Sequence, residues 1–205
     1  MSYDYKQTHE NILESAMVQF KEKGFREASV RKICKDAGVT NGAFYAHFES
    51  KEDLFESLVK PVLDGWSDMY ASEKKQFLKI KSSEDIIRAF EETFESSEPM
   101  IRYVCDHRDE FLLLTDSSVG TRYENFIDSL IDEEAESMIS FLKLSKKYVK
   151  NPDIISGNII KIGSSFLIKT LFGSLRSGKS AEEISKETRL VSDYCIAGYR
   201  HLLGI

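Results

Sequence analysis

Apolar residues recur with a helical period wherever a period can be read. Ile12, Leu13, Ala16, Met17 and Phe20 fall at i, i+1, i+4, i+5 and i+8, one face of a helix that Gly24 should stop. Ser29 then caps a shorter helix burying Val30, Ile33, Cys34 and Ala37, and Gly38 makes a tight turn. Thr40 caps a third helix running to about Phe48. Ser50 and Asp53 form the S-x-x-D start of a fourth, whose face is Leu54, Phe55, Leu58, Val59 and Val62. Pro61 lies inside it and should kink or split it.

Further helical stretches are expected at about 83–98, 99–115, 120–144, 152–176 and 181–203. Pro99, Ser117–Gly120, Asn151-Pro152 and Ser177–Lys179 separate them. No alternating stretch reads as a strand. The pattern predicts an all-α chain of about nine helices, with an N-terminal three-helix domain over 1–60 and a larger helical domain over 61–205.

Composition narrows the function. Net charge is −6, yet residues 1–50 hold seven basic and seven acidic residues, so the acidity belongs to the rest of the chain. Such a balance argues against sequence-blind attraction to nucleic acid or anionic membrane. The polar opening "MSYDYKQTHE" has no signal-peptide core, and Lys161 and Lys169 break the longest apolar run, so no membrane partner is expected. Cys34, Cys105 and Cys195 are scattered and read as reduced thiols of a cytoplasmic protein.

"YVCDHRDEF", residues 103–111, is the most enzyme-like cluster. Consecutive helical residues point in different directions, so its Cys, His and acidic side chains cannot all converge on a metal. No catalytic residue, metal site or cofactor is expected.

The second helix, its Gly-containing turn and the third helix make a helix-turn-helix over about 29–48. Its second helix enters a major groove about 12 Å wide, so its leading residues must be slim or polar, as Thr40, Asn41 and Gly42 are. Ala43, Phe44 and Phe48 anchor that helix, leaving Tyr45 and His47 outward for phosphates or base edges. The helix starts at Ser29 and Ser50-Lys51 offer backbone N–H groups to flanking phosphates.

"ILESAMVQFKEKGFREASVRKICKDAGVTNGAFYAHFESKEDLFESLV", residues 12–59, resembles the DNA-binding region of the tetracycline-repressor (TetR-type) transcriptional regulators. Phe20, Gly24 and Phe25 carry the resemblance, followed by Ser29-Val30-Arg31 with Ile33, and Ala37-Gly38-Val39. Gly42-Ala43-Phe44-Tyr45, Phe48 and Ser50 to Leu54 complete it, without a gap. Ala46 departs, standing where that family often has a larger His, Arg or Tyr.

The resemblance implies a homodimeric repressor that leaves a double-stranded operator when a small molecule binds its regulatory domain. Carried over, it makes Ser29, Arg31, Thr40, Asn41, Gly42, Tyr45, His47 and Lys51 the DNA-facing candidates. Effector candidates are the aromatics Trp66, Tyr70, Tyr103, Phe111, Phe126 and Phe166, with His107 and Asn158 as polar groups. The helices over about 152–176 and 181–203 hold more apolar surface than one protomer needs, which predicts a two-fold four-helix interface. The acidic surplus around Glu91 and Glu133 reads as solvated faces, leaving open a preference for cationic effectors. The competing reading is an all-α ligand-binding or protein-docking module without DNA binding.

Overall fold

The computed structural model describes residues 3–73, 81–153 and 157–205, and these are all-α. The elements are α1 (Tyr3–Glu27), α2 (Val30–Asp36), α3 (Asn41–Tyr45), α4 (Lys51–Glu73), α5 (Ser83–Ser96), α6 (Glu98–Asp106), α7 (Arg108–Leu112), α8 (Phe126–Ser145), α9 (Gly157–Arg176) and α10 (Ala181–Leu203). A π-helical turn, Leu113–Ser117, follows α7, and a 3₁₀ turn, Lys146–Tyr148, follows α8. No helix among the described residues is long and apolar enough to cross a membrane.

Two compact units are present. The first is Met1–Gly65 with His107–Phe126; the second is Trp66–Asp106 with Ile127–Ile205. The sequence division at residue 60 had assigned 107–126 to the second part. Those residues instead bring Phe111, Leu113 and Leu114, all buried, into the first unit. Arg122 reaches Glu56, and the Tyr123 ring lies 6.3 Å from Phe55.

The core of the first unit is tightly filled. Ile12, Ala16 and Phe20 of α1 meet Ile33 and Cys34 of α2, Phe44 of α3, and Leu54, Phe55 and Val59 of α4, all essentially inaccessible. Phe20 and Phe25 each meet Phe55 edge-on, at 5.2 and 5.6 Å. Gly24 breaks α1 with φ 71° and ψ 165°, the positive φ that favours glycine, and the helix resumes to Glu27 beyond the kink.

Three boundaries differ from the sequence reading. The first helix begins at Tyr3 rather than near Ile12, and α8 begins at Phe126 rather than near 120. The stretch expected as one helix over 99–115 divides at His107 into α6 and α7. Pro61 neither splits nor ends α4. It is exposed, and lacking an N–H it cannot supply the helical bond to the Ser57 carbonyl. Residues 154–156, inside the expected 152–176 helix, lie outside the described residues, and α9 is described from Gly157.

In the second unit, Ile86 and Phe90 of α5, Phe141 of α8, and Cys195, Tyr199 and Leu203 of α10 form one buried cluster. A capping box at Ser180 and Glu183 starts α10. At its end, Leu203 O accepts from the backbone N–H groups of Lys150 and Asn151.

Candidate DNA-reading head and ligand cavity

In the first unit, α2 and α3 form the expected helix-turn-helix. Ala37 and Gly38 close α2, with Gly38 at φ 70°, and the Val39 N–H donates to Cys34 O at 2.9 Å. Thr40 Oγ1 caps α3 by accepting from Ala43 N–H at 3.1 Å, which leaves its own O–H to donate elsewhere. α3 spans five residues, and His47 N–H and Phe48 N–H both turn back onto Phe44 O.

Ser29, Arg31, Thr40, Asn41, Gly42 and Tyr45 are all exposed, with the Tyr45 side chain 63% accessible. Ser29 makes no side-chain capping bond, and Arg31 forms no ion pair among the described residues. A Cβ on Gly42 would meet nothing nearer than Thr40 Oγ1 at 3.7 Å, so the start of α3 is open to close approach.

Lys51 does something different from what its position suggested. Its ammonium donates to the carbonyls of Phe25 (2.6 Å), Arg26 (3.1 Å) and Ala28 (3.0 Å) and lies 4.5 Å from the Phe25 ring centre. Three bonds use all three N–H donors, so none remains for a phosphate. A positive charge at the start of α4 would oppose that helix's dipole, but this one sits on the carbonyl end of α1. Burial pulls its pKa below the ordinary lysine range, with Glu27 opposing.

His47 is half-buried. Its ring stacks on Tyr5 at 4.0 Å, its Nδ1 is buried without a hydrogen-bond partner, and His9 lies 5.5 Å away. Burial first, and the charge of His9 second, lower its pKa. Tyr5 also donates to Ala46 O at 3.3 Å, and the His9 ring stacks on Phe48 at 4.7 Å. The first turns of α1 therefore hold the end of α3, a role absent from the sequence reading. A signal for it existed: Tyr5 and His9 continue the face of Ile12, Ala16 and Phe20 at helical spacing.

The second unit contains a cavity of about 250 Å³. All six of its helices contribute. Trp66 and Tyr70 come from α4, Ala89, Phe90 and Glu92 from α5, and Met100 and Ile101 from α6. Leu130, Glu133, Glu134, Met138 and Phe141 come from α8; Leu167, Leu171 and Phe172 from α9; Thr188, Ser192, Cys195 and Tyr199 from α10. Tyr70 Oη donates to Glu134 Oε2 at 2.9 Å, and burial, then the Glu134 charge, keep the phenol protonated far above its ordinary range. Burial likewise pushes Tyr199 up to about 12.

Of the eight effector candidates, Trp66 and Tyr70 line this cavity and the others stand elsewhere. Phe111 is fully buried and Phe126 lies 6.4 Å from it, both packed into the first unit. His107 belongs to that unit too, immediately before α7. Tyr103 on α6 is half-buried away from the lining, and Asn158 on α9 is exposed. Phe166 is 45% exposed and faces Tyr194, with ring centres 6.3 Å apart.

Phe166 marks an outward apolar face. Ile159, Ile162 and Phe166 of α9 and Leu190 and Tyr194 of α10 are exposed large hydrophobic residues at helical spacing. Cys195 and Tyr199, also on α10, turn inward to the cavity instead. A Cβ on Gly163 would stand 2.0 Å from Tyr199 Oη, so that glycine makes room for the ring.

Residues 12–58 match the family model described as bacterial regulatory proteins, tetR family. The HTH-type transcriptional repressor KstR2 of Mycolicibacterium smegmatis is 30% identical over 109 residues, 52% of this chain and 51% of that protein. The chain thus matches about half the length of that relative, and 30% of the Transposon Tn10 TetC protein of Escherichia coli. Similarity of fold extends further. NalD, the secondary repressor of the MexAB-OprM multidrug efflux pump in Pseudomonas aeruginosa, superposes with a TM-score of 0.61 at 20% identity, over 96% of this chain and 98% of that one. A TetR-like transcriptional regulator from Rhodococcus sp. RHA1 gives 0.60 at 17% identity, over 97% of both chains. Residues 12–58 are thus similar to the DNA-binding region of the tetR family of bacterial regulatory proteins, and the all-helical fold of these solved regulators extends over nearly the whole length.

Proposed function

We propose that this chain is a cytoplasmic, sequence-specific DNA-binding regulator that represses transcription and leaves its operator when a small molecule fills the cavity. The observation that carries the reading is the exposed edge of the helix-turn-helix. Ser29, Arg31, Thr40, Asn41, Gly42 and Tyr45 stand outward on helices whose opposite faces are buried. Hydroxyls, an unpaired guanidinium and a phenol are the groups that hold phosphates and read base edges. His47 would add a rim contact. Lys51 would support the head from within.

A homodimer through α9 and α10 fits the outward stripe around Phe166 and Tyr194, a contiguous apolar face of the kind monomers seldom leave uncovered. Two heads would then read half-sites roughly 34–36 Å apart. An effector that prefers the wrongly spaced conformation by about 5.5 kcal/mol would take the operator from nearly full to nearly empty.

The test is fluorescence anisotropy on DNA from upstream of the gene, against random duplex, at about 50 and 200 mM salt. Tight, salt-steep binding that Tyr45→Ala weakens without lowering thermal stability is the expected result. Absence of any DNA affinity at low salt would return the chain to the ligand-binding or docking module.

A further inference from the structure

α3 is five residues long, too short to stand as a helix without outside support. Thr40 caps its start, and Phe44, fully buried, anchors its underside. Its exit is held by the opening turns of α1. The Tyr5 hydroxyl donates to Ala46 O at 3.3 Å, a carbonyl of the kind a helix end leaves without an intrahelical partner. The Tyr5 ring stacks on His47 with centres 4.0 Å and planes 30° apart, and His9 stacks on Phe48 at 4.7 Å and 21°. Tyr5 and His9 are one turn apart on the same face of α1.

One hydrogen bond and two ring stacks fix rotation as well as distance. The side chain this matters for is Tyr45, next to Ala46 and 63% exposed on the outward edge. Side chains reach about 5–6 Å from a helix axis, so a roll of about 10° displaces their tips by about 1 Å. Groups that bind a shaped partner must be held within about 0.5 Å and 10–20°. Tyr5 itself adds little to the core: it is exposed, while Ile12, Ala16 and Phe20 further along α1 are fully buried. An exposed hydrogen bond contributes little to global stability. The contact therefore constrains α3 more than it stabilises the unit.

We propose that Tyr5 is a positioning residue for sequence readout: it sets the roll of α3, and through it the place of Tyr45 against the DNA. This rests on the reading of the helix-turn-helix as a DNA-binding edge.

The probe is a duplex that the full-length native protein selects from a random-sequence pool, with an unselected duplex of equal length as control. Tyr5→Ala is expected to weaken binding of the selected duplex about tenfold and of the control less than about twofold, because non-specific attraction depends on charge rather than placement. Tyr5→Phe keeps the ring stack and loses the bond, so its loss should lie between, at about threefold. Salt slope and melting temperature should change little in either variant. Tyr45→Ala supplies the decisive comparison. Added to it, Tyr5→Ala should cost less than about twofold more, since the group it positions is gone.

Native affinity in Tyr5→Ala overturns the proposal, as does an undiminished tenfold loss on top of Tyr45→Ala. A reduced salt slope would make Tyr5 a phosphate contact instead. A parallel fall of melting temperature and both affinities, in Tyr5→Phe as in Tyr5→Ala, would make its role structural. Either result overturns positioning and leaves DNA reading in place. A pool from which the native protein enriches no sequence would remove DNA reading itself, and the proposal with it.

Discussion

The two units put aromatic side chains to opposite uses. In the first, Phe20, Phe44, Phe55 and Phe111 are fully buried beneath the exposed edge of the helix-turn-helix. In the second, Phe90, Phe141, Phe172 and Tyr199 are just as hidden from bulk solvent but enclose an opening of about 250 Å³. Burial alone does not distinguish them; what lies on the far side of the ring does. On the proposed reading, a helix that meets a groove needs a fixed position, which dense packing supplies. A unit that takes a ligand would forgo packing so that the ligand can restore it.

Truncation should expose that difference most plainly. Phe44→Ala leaves a void directly beneath α3 and is expected to cost about 3–5 kcal/mol, with loss of DNA binding. Leu171→Ala in the cavity wall removes atoms that already lack partners on one side and should cost only about 1–2 kcal/mol. Urea unfolding of both variants checks this, and equal losses would mean that the second unit is packed as tightly as the first. Within the cavity unit, Gly163→Ala forces Tyr199 aside and should destabilise by about 1–3 kcal/mol while weakening ligand binding. Gly173→Ala meets nothing within 4 Å and should stabilise α9 by about 0.5–1 kcal/mol.

The same contrast explains what the sequence could show. The head was legible almost residue by residue, because Ser29 to Asp53 is a run of caps, turns and apolar spacings that local rules decode. Its beginning was not: the apolar period becomes obvious only at Ile12, and Tyr5 and His9 looked like members of a polar leader. Lys51 was misjudged because its partners are carbonyls at 25, 26 and 28, which become neighbours only through folding. In the second unit, periodicity showed which helix faces are apolar but not which faces converge. Trp66 and Tyr70 were found at the cavity; Phe111 and Phe126 were not, since an aromatic residue at helical spacing fills a core as readily as it lines a pocket.

Lys51 and Arg31 separate support from contact within the head. Lys51→Met removes three bonds to the end of α1 and should lower stability by about 1–2 kcal/mol, discounted for partial exposure. It should leave the salt slope of DNA binding unchanged, since that ammonium has no donor left for phosphate. Arg31→Ala should do the reverse, reducing the slope by about one with little effect on unfolding. Anisotropy at several salt concentrations, paired with thermal melts, distinguishes the two. A lower slope for Lys51→Met would mean that its ammonium turns outward on DNA.

The smallest expected effect concerns pH. The folded head lowers the pKa of His47 from its ordinary 6.5, through burial first and the charge of His9 second. The unfolded chain therefore binds this proton more readily than the folded one, so stability must fall as pH drops below about 6.5. The second unit has no histidine in its cavity lining among the described residues, so the effect should be confined to the head. Melting temperatures at about pH 7.5 and 5.5 should fall more for the native chain than for His47→Gln. DNA affinity over the same range moves the other way if His47 touches phosphate, because its protonated ring adds a positive charge where neutral imidazole had none. A head that loses stability in acid while holding DNA more tightly would assign His47 to the contact surface; loss of both would make it, like Lys51, a support.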